Sequence, residues 1–260
     1  MAASATKPSS HWTGWAQWLA LFTMTVDHVT RFVIPDGWEL DWVGSSVGRI
    51  AFPLFAAMVA WHGLFNTRNP MRYARRMLII GIIAQLPYML MPRASDAFIL
   101  NICFTLATGL ALGSLVRLGW QHYQQESIHF GWLLAGAAAG VTLWYLLGFW
   151  VEYHHYGLLL IPLLMFAMQA LSDADGDFSA RLWAGLAAFP ALWMAGQMNA
   201  SDMAKSFTVG TCIVVLVIAA GAAKRIPAIQ WVMPRRLWLA WYPGHFALIA
   251  LWLLLSGQIG

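Results

Sequence analysis

The chain has 260 residues, 60% of them apolar and only 10% charged, with a formal net charge of +4. Soluble domains carry about 25% charged residues, and the mean hydropathy here is +0.62. An ordinary cytosolic globule, a disordered chain and a nucleic-acid-binding domain are therefore excluded, and the high pI of about 9.3 reflects basic loops expected at one membrane face.

A membrane span needs about 20 mainly apolar residues. Nine candidate runs follow one another, at roughly 14–34, 46–66, 74–92, 98–118, 128–150, 153–171, 181–199, 206–223 and 237–256. The expected fold is all-α, a polytopic membrane helical bundle of about nine transmembrane helices, with residues 1–260 forming one domain. The first run carries charges and no A-x-A-like site follows it, so a retained helix is expected there and not a signal peptide. Only Val151 and Glu152 separate the fifth and sixth runs.

Orientation follows from the basic residues between runs. One set of segments holds Lys7, Arg68, Arg72, Arg75, Arg76, Arg117, Arg181, Lys224, Arg225, Arg235 and Arg236. The alternate set holds Arg93 and Lys205, with Arg31 and Arg49 at its membrane edge. The asymmetry puts the N-terminus in the cytoplasm. Cys103 and Cys212 sit in separate apolar runs and read as packing residues. The pairs Gly109/Gly113 and Gly136/Gly140 read as close helix contacts.

Charged side chains are costly inside a bilayer, so those present are the first functional candidates. Asp27, His28 and Arg31 share the first run, with Asp27 and Arg31 four residues apart on one helix face. Arg49 opens the second run. Gln85 lies late in the third, Asn101 opens the fourth, and Glu152, His154 and His155 introduce the sixth. In the orientation above all nine fall in the outer half, which predicts a polar site open to the outer face. A second group, His62, Arg68, Arg72, Arg75 and Arg76 with Lys224, Arg225, Arg235 and Arg236, falls at the inner face. It reads either as topology-setting charge or as the mouth of a site for an anionic cofactor. Pro243-Gly244 beside His245 predicts a broken last helix lining a cavity.

No Walker loop, HExxH, GxSxG or dinucleotide fingerprint occurs. No metal is expected: His154 and His155 are adjacent and would point about 100° apart on a helix. The acidic stretch from Asp173 to Asp177 has Ala184 where a calcium loop needs its last carboxylate.

The runs Leu19-Ala20-Leu21-Phe22-Thr23-Met24-Thr25-Val26-Asp27-His28 and Gly48-Arg49-Ile50-Ala51-Phe52-Pro53-Leu54-Phe55 resemble the TraX family. So do Arg72-Tyr73-Ala74-Arg75-Arg76, Gln85-Leu86-Pro87, the run from Leu100 to Leu106, Tyr156-Gly157 and Tyr242-Pro243-Gly244-His245. The many tryptophans look more like the TrbP-like branch. The family often has Asp before the Tyr-Gly of its sixth span, where this chain has a displaced Glu152. The resemblance implies an inner-membrane acyltransferase of pilus biogenesis, with acetyl-CoA as acyl donor and a conjugative pilin subunit as partner, whose N-terminus it acetylates. Membrane lipid is the other expected partner, and nucleic acid is not one.

On that implied chemistry, His28 is the candidate base, because imidazole titrates near neutrality. Asp27 is its candidate orienting group, and Arg49, Asn101 and Gln85 are candidates to stabilise the oxyanion. Arg31, Glu152, His154 and His155 are expected to bind substrate. His62, Arg68, Arg72, Arg75, Arg76 and His245 are expected to serve acetyl-CoA. A pilin maturation, cyclisation or assembly factor without acetylation, and a small-solute transporter, remain open alternatives.

Overall fold

The computed structural model describes residues 8–92, 97–174 and 178–258; Lys7, Arg93, Asp175, Gly176 and Asp177 lie outside them. The described elements are helical, apart from one isolated bridge between Leu100 and Val151. In chain order they are α1 (Trp12–Phe32), a short α2 (Asp41–Ser45), α3 (Gly48–Trp61), α4 (Pro70–Met89) and α5 (Ile102–Gln124). Then follow α6 (Phe130–Leu147), α7 (His154–Asp173), α8 (Phe178–Gln197), α9 (Asp202–Ala219) and α10 (Arg235–Leu255). Each of the nine predicted runs coincides with one long helix. Six helical stretches are long and apolar enough to cross a membrane: residues 41–66, which run from α2 through α3, and α5, α6, α7, α9 and α10. The other three long helices carry what lowers hydropathy. These are Asp27, His28 and Arg31 in α1, three arginines in α4, and Arg181 with two tryptophans in α8.

Helix starts are set by local chemistry. Asn69 accepts the Arg72 amide at 2.9 Å, and Pro70 follows at the first helical position, where no N–H is needed. Ser201 caps α9 through the Ala204 amide at 3.3 Å.

The centre of the bundle is α3, which packs against α1, α5, α7 and α9. Its Ala56, Ala57 and Ala60 are fully buried, and such small side chains let neighbouring backbones come close. Trp12 closes one end of this core, meeting Trp61 edge-on at 5.6 Å. At the far edge α10 packs on α4 and α1. Three indole N–H groups fasten α1 to that side: Trp15 donates to the Pro227 carbonyl (3.0 Å), Trp18 to the Trp231 carbonyl (2.9 Å), and Trp241 to Thr25 Oγ1 (2.9 Å). The predicted break at Pro243-Gly244 is absent, and α10 runs unbroken through it. Proline withholds one N–H, but membrane helices tolerate that when neighbours satisfy the freed carbonyl. Nothing in α6 is buried; its Trp132, Leu134, Val141 and Leu146 all face outward, an apolar surface suited to lipid.

The two predicted glycine contacts separate. A Cβ on Gly109 would stand 3.0 Å from Ile161 Cβ, and one on Gly113 would stand 2.7 Å from Met165 Sδ and 3.1 Å from Pro162 Cα. This pair is what brings α5 onto α7. A Cβ on Gly136 would meet nothing within 4 Å, and Gly140 would meet only Leu112 at 4.0 Å. Gly113→Leu is therefore expected to destabilise the bundle by about 1–3 kcal/mol through overpacking, while Gly136→Leu leaves it unchanged. Thermal unfolding followed by size-exclusion chromatography of detergent extracts checks the contrast.

Candidate active site

One end of α1 and α3 carries a compact charged cluster. Asp27 is nearly buried, and its Oδ1 meets Arg31 Nη2 at 3.4 Å, as the four-residue spacing predicts. The carboxylate lies against the start of α3. A Cβ at Gly48 would fall inside the Asp27 carboxyl group, 2.8 Å from Asp27 Cβ, and one at Gly44 would stand 3.2 Å from Oδ1. Glycine at 48 is thus the condition for a carboxylate to sit at this helix N-terminus, where the helix dipole favours it. Arg49 is next in sequence, and its Nε is buried with no hydrogen-bond partner among the described residues. Asp27, Arg31 and Arg49 line a cavity of about 180 Å³ together with Thr30, Asp41 and Ser45.

His28 points the other way around α1. Its Nδ1 lies 2.8 Å from Nε2 of His245, with the two ring planes nearly parallel at 5° and their centroids 5.0 Å apart, an edge-to-edge pair. Its Nε2 faces Asp27 Oδ2 at 3.9 Å, too long for a hydrogen bond but close enough for charge to act. His245 in turn sets its Nδ1 2.9 Å from the Trp241 carbonyl one turn earlier. Of the residues expected to serve acetyl-CoA, His245 is outside the lining of the basic cavity described below: it stands ten residues into α10, about 15 Å from the helix start, beside His28. Asp27, the candidate orienting group, is thus beyond hydrogen-bond distance of His28, and the hydrogen bond within reach is the one to His245. Phe246 packs on both imidazoles, at 4.7 Å and 4.2 Å.

Asn101 and Gln85 come together, but they are occupied with each other and with the main chain. Asn101 is fully buried. Its Nδ2 donates to the Gly81 carbonyl and to Gln85 Oε1, both at 2.8 Å, and its Oδ1 accepts the Cys103 amide at 3.1 Å. Gln85 Nε2 donates to the Ile99 carbonyl at 2.9 Å. The pair clamps the start of α5 onto α4.

His154 and His155 are drawn into the turn between α6 and α7. Nδ1 of His154 lies 3.2 Å from the Gly148 carbonyl, and Nε2 of His155 lies 2.9 Å from the Tyr145 carbonyl. The His155 ring sits among Trp144, Tyr145 and Phe149. Glu152 enters the small bridge: its amide donates to Leu100, and its carbonyl accepts Thr105 Oγ1 at 2.7 Å. The carboxylate of Glu152 is an electrostatic neighbour of Tyr153, Cys103 and Tyr242. Tyr153 and His154 both have positive φ, +60° and +51°. Such backbone costs about 1–3 kcal/mol per residue and persists only where its surroundings fix it. Here the Tyr153 ring stacks on Phe52 at 4.2 Å and 9°. Nothing in the apolar pattern of residues 148–153 signals this strained turn.

The other end of α3 opens on a basic cavity of about 500 Å³. His62, Arg68, Arg72 and Arg76 line it as expected, together with Asn66, Asn69 and Trp238. Arg75, Lys224, Arg225, Arg235 and Arg236 are outside its lining. Residues His62–Asn66 form a π-helical turn, a feature common at functional sites. In it Asn66 Nδ2 stands 2.8 Å from His62 Nδ1 and 2.9 Å from Ser10 Oγ, which also accepts the Trp61 indole at 2.9 Å. Neutral residues of the lining, Asn66, Asn69 and Trp238 among them, carry no charge that would mark them in the sequence. The Asn69-Pro70 pair is nevertheless a readable helix-start signal. Cationic donors beside the N-terminus of α4 fit a polyanionic group such as a nucleotide phosphate. Among the described residues no three His, Cys, Asp or Glu side chains converge as metal ligands.

The comparisons with known proteins agree with the motifs. The chain is 32% identical over 98 residues to the probable fimbrial assembly protein FimC, serogroup H1, of Dichelobacter nodosus. That match spans 37% of this chain and 39% of the relative's length. No solved structure matches. The TraX protein family matches residues 15–255, nearly the whole sequence, and the chain belongs to it.

Proposed function

We propose that this chain is an inner-membrane acyltransferase that acetylates the N-terminus of a conjugative pilin subunit, with acetyl-CoA as the acyl donor. The nine long helices cross the membrane, and the basic cavity and the N-terminus face the cytoplasm. One observation carries the reading: the same two helices, α1 and α3, hold an Asp–His–Arg–Arg cluster at one end and a basic cavity at the other. From Arg49 to His62 along α3 is about 20 Å. The cavity's inner wall, Phe55 with Trp238 at 5.5 Å, lies about 10 Å along α10 from His245. A donor with a phosphate-rich head and a slender arm suits that layout; acetyl-CoA supplies an activated acyl group.

The chain's own residues supply the rest. Arg68, Arg72 and Arg76 hold the phosphates, with His62 beside them. The second ring nitrogen of His28 receives a proton from the acceptor amine, and Asp27 stabilises the imidazolium so formed. The buried Arg49 Nε–H is the available donor for negative charge developing on the acyl oxygen. Arg31 holds Asp27 in place. Asn101 and Gln85 keep α4 and α5 in register.

Membership of the TraX family and the fimbrial assembly name of the relative support a pilus-related role. That name also favours a second reading, a factor that holds pilin without modifying it. Intact mass of the cognate pilin from cells with and without the gene separates the two. An acetyl-sized difference at the N-terminus is expected; identical masses leave the holding role. Arg76→Ala is expected to raise KM for the donor about tenfold with kcat little changed, as loss of uniform binding does. Steady-state rates at varied acetyl-CoA check it.

A further inference from the structure

Two adjacent histidines share one proton between them, and the surroundings decide where it sits. Nδ1 of His245 faces the Trp241 carbonyl at 2.9 Å. A carbonyl only accepts, so that nitrogen carries a hydrogen. In a neutral ring the other nitrogen, Nε2, is then a lone-pair acceptor. It lies 2.8 Å from Nδ1 of His28, which must therefore be the donor. With Nδ1 protonated, the neutral His28 ring has its free lone pair on Nε2. That nitrogen faces Asp27 Oδ2 at 3.9 Å. The opposite assignment would turn a hydrogen on His28 Nε2 toward Asp27 and leave two lone pairs facing each other across 2.8 Å, unless His245 took up a second proton and became a buried cation.

We infer that His245 is a positioning residue that holds His28 in its Nδ1–H form, so that Nε2, beside Asp27, is the atom that takes the acceptor amine's proton. The inference rests on the acyltransferase reading for its chemistry. Its geometry is independent of that reading. As the amine nitrogen bonds to the acyl carbon, its proton passes to His28 Nε2. As the carbon–sulfur bond of the thioester breaks, the same proton goes to the departing sulfur, and His28 ends as it began. The ring pair runs from the α10 backbone to Asp27, and the His28 side chain retains 14% exposure for a substrate to reach it. The Trp241 carbonyl belongs to the main chain, so no side-chain replacement in α10 other than at 245 removes the orienting contact directly.

The test uses the full chain in lipid nanodiscs, labelled with ¹⁵N-histidine. His28 resonances are assigned by their loss in His28→Asn. The wild type is expected to show His28 with Nδ1 protonated and Nε2 bare. His245→Leu is expected to move His28 to the other form or to a mixture. His245→Gln keeps an acceptor oxygen near the place of Nε2 and is expected to retain the Nδ1–H form. On pilin acetylation, His245→Leu should lower kcat at least tenfold with KM for both substrates little changed, and His245→Gln should recover most of the loss. A wild-type His28 with its proton on Nε2, or an unchanged His28 in a folded His245→Leu protein, overturns the inference. If His245→Leu does not fold, the wild-type and His245→Gln spectra still decide it. If the wild type acetylates nothing, the acyltransferase reading falls, while the spectra still report on the histidine pair.

Discussion

His28→Ala is expected to lower acetyl transfer by about 10²- to 10⁴-fold, the span a positioned general base contributes. The fold should survive it. Among the described residues His28 makes one side-chain hydrogen bond, to His245, and a typical bond is worth about 1 kcal/mol net. Phe32 and Phe246 remain to pack around the space, and Asp27 keeps its ion pair with Arg31. The loss should therefore appear in kcat, with protein yield and elution volume close to wild type. Rates of pilin acetylation by equal amounts of folded protein check it. A variant within twofold of wild type would remove His28 as the base.

Asn101→Leu should have the opposite profile. The substitution keeps the approximate shape and removes every side-chain hydrogen bond at a fully buried position. It leaves the Gly81 carbonyl without its side-chain donor, strips one donor from Gln85 Oε1 and uncaps the Cys103 amide. An unpaired buried group costs about 1–3 kcal/mol and a lost cap about 1 kcal/mol, so a loss on the order of 3 kcal/mol is expected. The melting temperature should fall clearly. Activity per folded molecule should stay within a few-fold. Removing an oxyanion donor would instead cost about 10²- to 10³-fold in kcat. Thermal unfolding and specific activity measured on the same preparation distinguish a clamp from an oxyanion group.

These two residues show how far the sequence could be read. The helices were legible because each is an apolar run of sufficient length, and Asp27–Arg31 was legible because both ends lie on one helix. What joins different helices was not. Asn101 and Gln85 were visible as buried amides, but a separation of sixteen positions does not reveal that each satisfies the other. Pro243-Gly244 beside His245 marks a cavity-lining break in the sequence, but α10 runs through it, and no spacing within α10 reveals that His245 meets His28. His154 and His155 drew attention as a pair beside an acid. Yet the turn that precedes α7 is fixed by Tyr153 stacking on Phe52 and by the Leu100–Val151 bridge, contacts from distant segments. The Gly48–Asp27 contact gives the Gly-Arg motif its physical sense: the glycine makes room for the carboxylate, and the arginine follows directly beside it.

The most direct test is transfer itself. The purified full chain in nanodiscs would be mixed with the processed cognate pilin and deuterium-labelled acetyl-CoA, and the pilin then read by intact and fragment mass. The account expects one labelled acetyl group on the pilin N-terminal nitrogen with wild type and almost none with His28→Ala. Unlabelled pilin after incubation with a wild-type protein that binds both partners would contradict it.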